Sequence, residues 1–136
     1  MQKLIFTIIL FFSVQYCFAD ELEDFMLKQI QARELVSELY IEEYQVFSVT
    51  GDEYVIISKT ELQDLLSIAN AQNMKPELKS FKILSRSDTQ DFVSAAFEYE
   101  WEMTVGNTNL DGKVEGIAVY LKTDEGYISI FDAQTQ

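Results

Sequence analysis

The stretch Phe92-Val93-Ser94-Ala95-Ala96-Phe97-Glu98-Tyr99-Glu100-Trp101-Glu102-Met103-Thr104-Val105 decides the fold. Val93, Ala95, Phe97, Tyr99, Trp101, Met103 and Val105 share one parity, and Ser94, Glu98, Glu100, Glu102 and Thr104 share the other. That alternation is the signature of a long strand with one face buried and the other wet. Around it, Lys79 to Ser85, Lys113 to Thr123 and Tyr127 to Ala133 also read as strands. The connections Ser87-Asp88-Thr89-Gln90, Gly106 to Gly112 and Asp124-Glu125-Gly126 are rich in residues that tolerate turn geometry. The last two strands are apolar on both faces. Ile117, Val119 and Leu121 oppose Val114, Ala118 and Tyr120, while Ile128 and Ile130 alternate with Tyr127 and Phe131. Such strands must be covered on both sides. Helices can cover one side, and a second copy is expected on the other, giving a homodimer through the sheet.

Upstream, the apolar spacing of Leu22, Phe25, Met26, Ile30, Val36, Leu39 and Tyr40 reads as a helix from about Asp20 to Glu43. Asp20, Glu21, Glu23 and Asp24 sit in its first turn, where the helix dipole favours carboxylates. Strands Tyr44 to Val49 and Glu53 to Ser58 follow, joined through Thr50-Gly51-Asp52. Ser58 and Glu61 have the spacing of a capping box, which opens a helix whose buried side is Leu62, Leu65, Leu66 and Ala69 and which ends over Asn73 to Pro76. The expected architecture is α+β, with two or three N-terminal helices packed on a curved antiparallel sheet.

The first residues read as an export leader. Lys3 gives a positive start, Leu4 to Val14 a short apolar run, and Cys17-Phe18-Ala19 a small-x-small cleavage pattern before the acidic Asp20. The run is too short to span a bilayer. The expected organisation is a signal peptide over residues 1–19 and one exported domain, periplasmic or secreted, over residues 20–136.

Composition removes several chemistries. The chain has no histidine, and its single cysteine, Cys17, lies in the leader. A histidine base, a cysteine nucleophile, disulfides and thiolate metal sites are therefore excluded from the domain, and neither a metal nor another cofactor is expected. The formal net charge is −13. That balance repels nucleic acid and anionic membrane surfaces, and leaves a basic protein as the charged partner to consider.

Tyr40 and Tyr44 leading from helix to strand, Gly51, and the helix start Ser58-Lys59-Thr60-Glu61-Leu62 recur in order with the Trp101 strand and Asp124-Glu125-Gly126-Tyr127-Ile128-Ser129-Ile130. From roughly Leu27 to Gln134 this order resembles the NTF2-like superfamily, in particular its SnoaL-like and DUF4440 group. The resemblance implies a cone-like sheet around helices, with a pocket between them. It also implies a choice among isomerases, dehydratases, cyclases and hydrolases, or non-catalytic binding and interaction modules. The sequence departs from the family pattern at Ile128, where a Trp is common, and near Gln134, where a His often falls.

Tyr40, Tyr44, Tyr99 and Trp101 are the candidate ligand-binding residues, since each joins an apolar ring to a hydrogen-bonding tip. Asp52 and Asp132 are single carboxylates near strand ends, able to act as a base in apolar surroundings. Glu98, Glu100 and Glu102 oppose the apolar set and read as a solvated row. No catalytic residue is assigned. The leading expectation is an exported, non-catalytic domain that binds a small apolar molecule. The alternatives are a cofactor-free isomerase or dehydratase working through Tyr and Asp or Glu, and an acidic inhibitor or immunity-type module.

Overall fold

The computed structural model describes residues 21–136; the expected leader lies outside them. The chain divides between Gln31 and Ala32 into two compact units. In the first, helix α1 occupies residues 21–31, and Leu22 and Met26, one turn apart, are both buried.

The expected helix to Glu43 stops at residue 31. A 3-10 turn, Ser37–Leu39, precedes strand β1, Tyr40–Thr50, so Tyr40 opens a strand. Tyr40, Tyr44 and Val46 share one strand parity, and Tyr40 pairs with Ser129 of the last strand. Partnership in a ladder outweighs a spacing that a helix would also have satisfied. Val36, expected on the helical stripe, is instead exposed.

Strand β2, Glu53–Ser58, returns antiparallel to β1 through Gly51, whose φ of 61° suits glycine. Helix α2, Lys59–Ala71, then starts on the capping box: Ser58 Oγ accepts from the Glu61 N–H at 3.2 Å, and Glu61 Oε2 accepts from the Ser58 N–H at 2.8 Å. Its expected buried side is only partly covered. Leu62, Leu66 and Ala69 are half-buried while Leu65 is exposed. Helix α2 follows two strands, in the order its capping box indicates from the sequence, and α1 and α2 are the two α-helices among the described residues.

Strands β3, Glu77–Asp88, β4, Phe92–Val105, β5, Thr108–Thr123, and β6, Gly126–Thr135, form an antiparallel meander. The sheet order is β2-β1-β6-β5-β4-β3. It is antiparallel except between β1 and β6, which run parallel. That pair corrects the all-antiparallel expectation, and its long connection through β2, α2 and the meander is what parallel neighbours require.

The core lies on one sheet face: Tyr44 and Val46 of β1, Val93, Ala95 and Phe97 of β4, Val114, Ala118 and Tyr120 of β5, and Ser129 of β6 are all buried. Two glycines on β5 face large rings on β4, Gly112 opposite Trp101 and Gly116 opposite Phe97. Together with register shifts in the β3–β4 and β5–β6 pairings, they let the sheet curve. The other face carries the glutamate row in a lattice of opposite charges. Lys113 meets Glu98 and Glu115, each at 3.2 Å, and Lys79 meets Glu102 at 3.3 Å.

Candidate functional site

A β-bulge builds the site. Along β6, Ser129 pairs with Tyr120 and Phe131 with Val119, leaving Ile130 as an extra residue. Strict alternation from Ser129 would turn Asp132 outward; the bulge returns it to the core face, between Val46 of β1 and Ala118 of β5. Phe131 points outward and is exposed. Asp132 as a whole residue is half-buried there.

There the Tyr44 hydroxyl donates a hydrogen bond to Asp132 Oδ2. The Tyr40 ring packs edge-on against Tyr44, with centroids 4.7 Å apart. Ser129 lies in register between Tyr40 and Tyr120, so these residues form the row next to Asp132. Tyr120 in turn meets Tyr127 edge-on at 6.2 Å.

Burial pushes the Asp132 carboxyl up to about 6, against the opposing pull of the Tyr44 hydrogen bond. Tyr40 is pushed up to about 12, by burial first and then by the Asp132 charge. Tyr44, Tyr99 and Tyr120 shift upward for the same two reasons, burial leading. All four hydroxyls therefore remain protonated donors through the neutral range. No cation answers the carboxylate among the described residues: Lys79 and Lys113 pair with glutamates on the other face, and Arg86 and Lys122 converge on Asp88 at 2.7 and 2.8 Å. Those two cations hold the Asp88 carboxyl down at about 2.

Of the sequence candidates, Tyr40, Tyr44 and Tyr99 fall within electrostatic reach of Asp132. Trp101 lies further along β4, over Gly112, and lines an open groove of about 370 Å³ with Lys79, Glu100, Glu102, Asp111 and Lys113. Asp52 is in the exposed β1–β2 turn. Tyr120 stands out in the sequence only as one more apolar strand residue, and Asp132 only as a carboxylate near a strand end. The register of β6 against β5 and β1 identifies both. Among the described residues, no group of three or more His, Cys, Asp or Glu is placed to hold a metal ion, and no helix is long and apolar enough to cross a membrane. Chemically, the cluster can accept a proton or a hydrogen bond at Asp132 and donate from the surrounding hydroxyls.

No protein-family model matches the chain, and no curated protein matches it in sequence. Solved structures do match. An NTF2-like protein of unknown function from Silicibacter pomeroyi is 10% identical with a TM-score of 0.61, covering 88% of this chain and 96% of its own. An NTF2-like protein with a cystatin-like fold from Novosphingobium aromaticivorans is 13% identical with a TM-score of 0.58, covering 91% and 86%. A Catenulispora acidiphila protein in complex with S-DNPA is 14% identical with a TM-score of 0.65, covering 88% and 93%. At these identities the likeness is one of backbone architecture: the chain has the NTF2-like fold.

Proposed function

We propose that this protein is an exported binding module that holds a small, mostly apolar molecule by its polar end at Tyr44 and Asp132. The observation that carries the reading is the hydrogen-bonded pair itself, a carboxylate and a phenol on a face otherwise built from Val46, Ala95, Val114 and Ala118. A polar anchor among apolar walls is the usual arrangement of a small-molecule site. The Catenulispora acidiphila protein, of similar backbone, is a complex with S-DNPA. The leader pattern around Lys3, Leu4 to Val14 and Cys17-Phe18-Ala19 supports export. Native mass spectrometry of the protein from its own host tests the binding reading. A small mass retained under gentle conditions and shed on denaturation is expected, and its retention should fall in Tyr44→Phe. A protein that arrives bare, and whose NMR signals at these residues do not move in titrations with small apolar fragments, would sink the reading.

A second reading is a cofactor-free isomerase or dehydratase. The Asp132 carboxyl, raised to about 6, favours it, because a general base works best near the ambient pH. The Tyr40 and Tyr120 hydroxyls would then stabilise a developing oxyanion. Deuterium from heavy water appearing at carbon in the recovered ligand would select this reading over simple binding.

The outer face supports a homodimer. Ala96, Ile117, Ala133, Phe47 and Ile56 are in register across five strands and form one apolar row. Ile117 is 52% exposed and Ile56 equally so, with Phe92 and Phe131 beside them. A second copy rotated about an axis through this row would set apolar against apolar, and the charge lattice of Lys113, Glu98 and Glu115 carries both signs for the rim. Sedimentation should give a dimer that Ile117→Glu converts to a folded monomer. An unchanged mass in the variant would rule this face out.

A further inference from the structure

We propose that the molecule held at this site carries a cationic ammonium group, seated on the Asp132 carboxylate among the rings of Tyr40, Tyr44 and Tyr120. The inference rests on the binding reading above and adds the chemical class of the ligand.

Three observations converge on it. The first is charge: among the described residues Asp132 has no cation at salt-bridge distance, and the hydrogen bond it accepts there comes from a neutral phenol. A carboxylate withdrawn from water is costly unless a proton or a positive charge answers it. The second is the nature of the surroundings. Tyr44 hydrogen-bonds the carboxylate, the Tyr40 ring packs on Tyr44 at 4.7 Å, and Tyr120 shares the Ser129 row beside Asp132; aromatic faces attract ammonium groups as well as alkyl bodies. The third is the whole-chain charge of −13, which concentrates cations near the protein and repels anions.

Other ligand ends fit less well. An anionic end would face both Asp132 and the net charge. A neutral hydroxyl could donate to the free lone pairs of the carboxylate but would leave its charge unanswered. An ammonium group supplies both the donors and the compensating charge.

The test compares phenylbutylamine with phenylbutanol, which share one apolar body, by calorimetry on the full chain. The amine is expected to bind at least about tenfold more tightly at pH 7, the scale of a partly desolvated ion pair reinforced by aromatic contact. Its affinity should fall from pH 7 to pH 5 as Asp132 takes up its proton, while that of the alcohol stays level. The other groups facing the carboxylate, Tyr40, Tyr44, Tyr99 and Tyr120, all have hydroxyl pKa values raised above the ordinary tyrosine range and do not titrate there. Asp132→Asn should erase the preference yet keep alcohol binding, since the amide oxygen still accepts from Tyr44.

If the alcohol binds as tightly as the amine, the ammonium proposal is overturned while the binding module stands. A preference that survives in Asp132→Asn, or an amine affinity that ignores pH in the unaltered chain, overturns it as well. If neither probe binds, the underlying binding reading falls too.

Discussion

Asp132→Asn should make the protein more stable at pH 7, by up to about 3 kcal/mol, and should leave stability at pH 4 nearly unchanged. The carboxyl titrates near 6 in the folded chain against its ordinary value of 3.8. A tenfold change in proton affinity corresponds to about 1.4 kcal/mol between protonation states. The folded value is raised, so the folded protein holds the proton more tightly than the unfolded chain does. Stability from this group is then fully present below about 4 and is lost as the pH rises through 6. Asparagine imitates the protonated carboxyl: it accepts from Tyr44 and carries no charge, so the variant escapes that loss. Urea unfolding of both proteins at pH 4, 5, 6 and 7 separates this group from the other carboxylates, because only the difference between them is read. A difference that does not grow with pH would mean that Asp132 ionises freely. A gain in stability from removing a charge is what a functional site predicts, since such sites hold charges that the fold alone would not choose.

Gly116→Ala should cost about 3 kcal/mol, near the upper end of what overpacking usually exacts. A Cβ there would stand 2.6 Å from the Ala133 carbonyl oxygen and 2.7 Å from Phe97 Cζ. Neither neighbour can retreat easily, because Ala133 is in the β6 ladder beside Asp132 and Phe97 is buried. Gly112→Ala serves as the control. The three atoms nearest its Cβ would all belong to the Trp101 ring, also at 2.7 Å, and Trp101 is half-buried with a groove beside it. That ring can swing aside, so the cost should be nearer 1 kcal/mol, or about a third as much. Equal losses for the two variants in urea unfolding would refute the distinction between a backbone clash and a side-chain clash. Because Gly116 lies on the core face two residues from Ala118, the partner of Asp132, its variant should also disturb the setting of Asp132.

Where alternation is uninterrupted, the sequence is legible in detail. Phe92 to Val105 spans the residues the pattern marks, as does Glu53 to Ser58, and the capping box at Ser58 and Glu61 closes as its spacing requires. The segment around Tyr40 misleads because Val36, Leu39 and Tyr40 satisfy a helical stripe and Tyr40, Tyr44 and Val46 a strand equally well. The choice falls to a distant partner strand, where Tyr40 meets Ser129. The buried side expected for α2 fails for a related reason: periodicity marks a face as apolar without saying that anything covers it, and Leu65 stays exposed.

By itself the sequence determined the strand-rich meander, the start of α2, the wet glutamate row, and the absence of histidine and cysteine from residues 20–136. These follow from local periods, capping chemistry and composition, which need no knowledge of neighbours. Tertiary structure alone decided that β1 begins at Tyr40, that β1 and β6 run parallel, and that Asp132 turns inward to meet Tyr44. The reason is the extra residue at Ile130: a bulge forms only against a partner strand, and one unpaired residue reverses the face of every side chain beyond it.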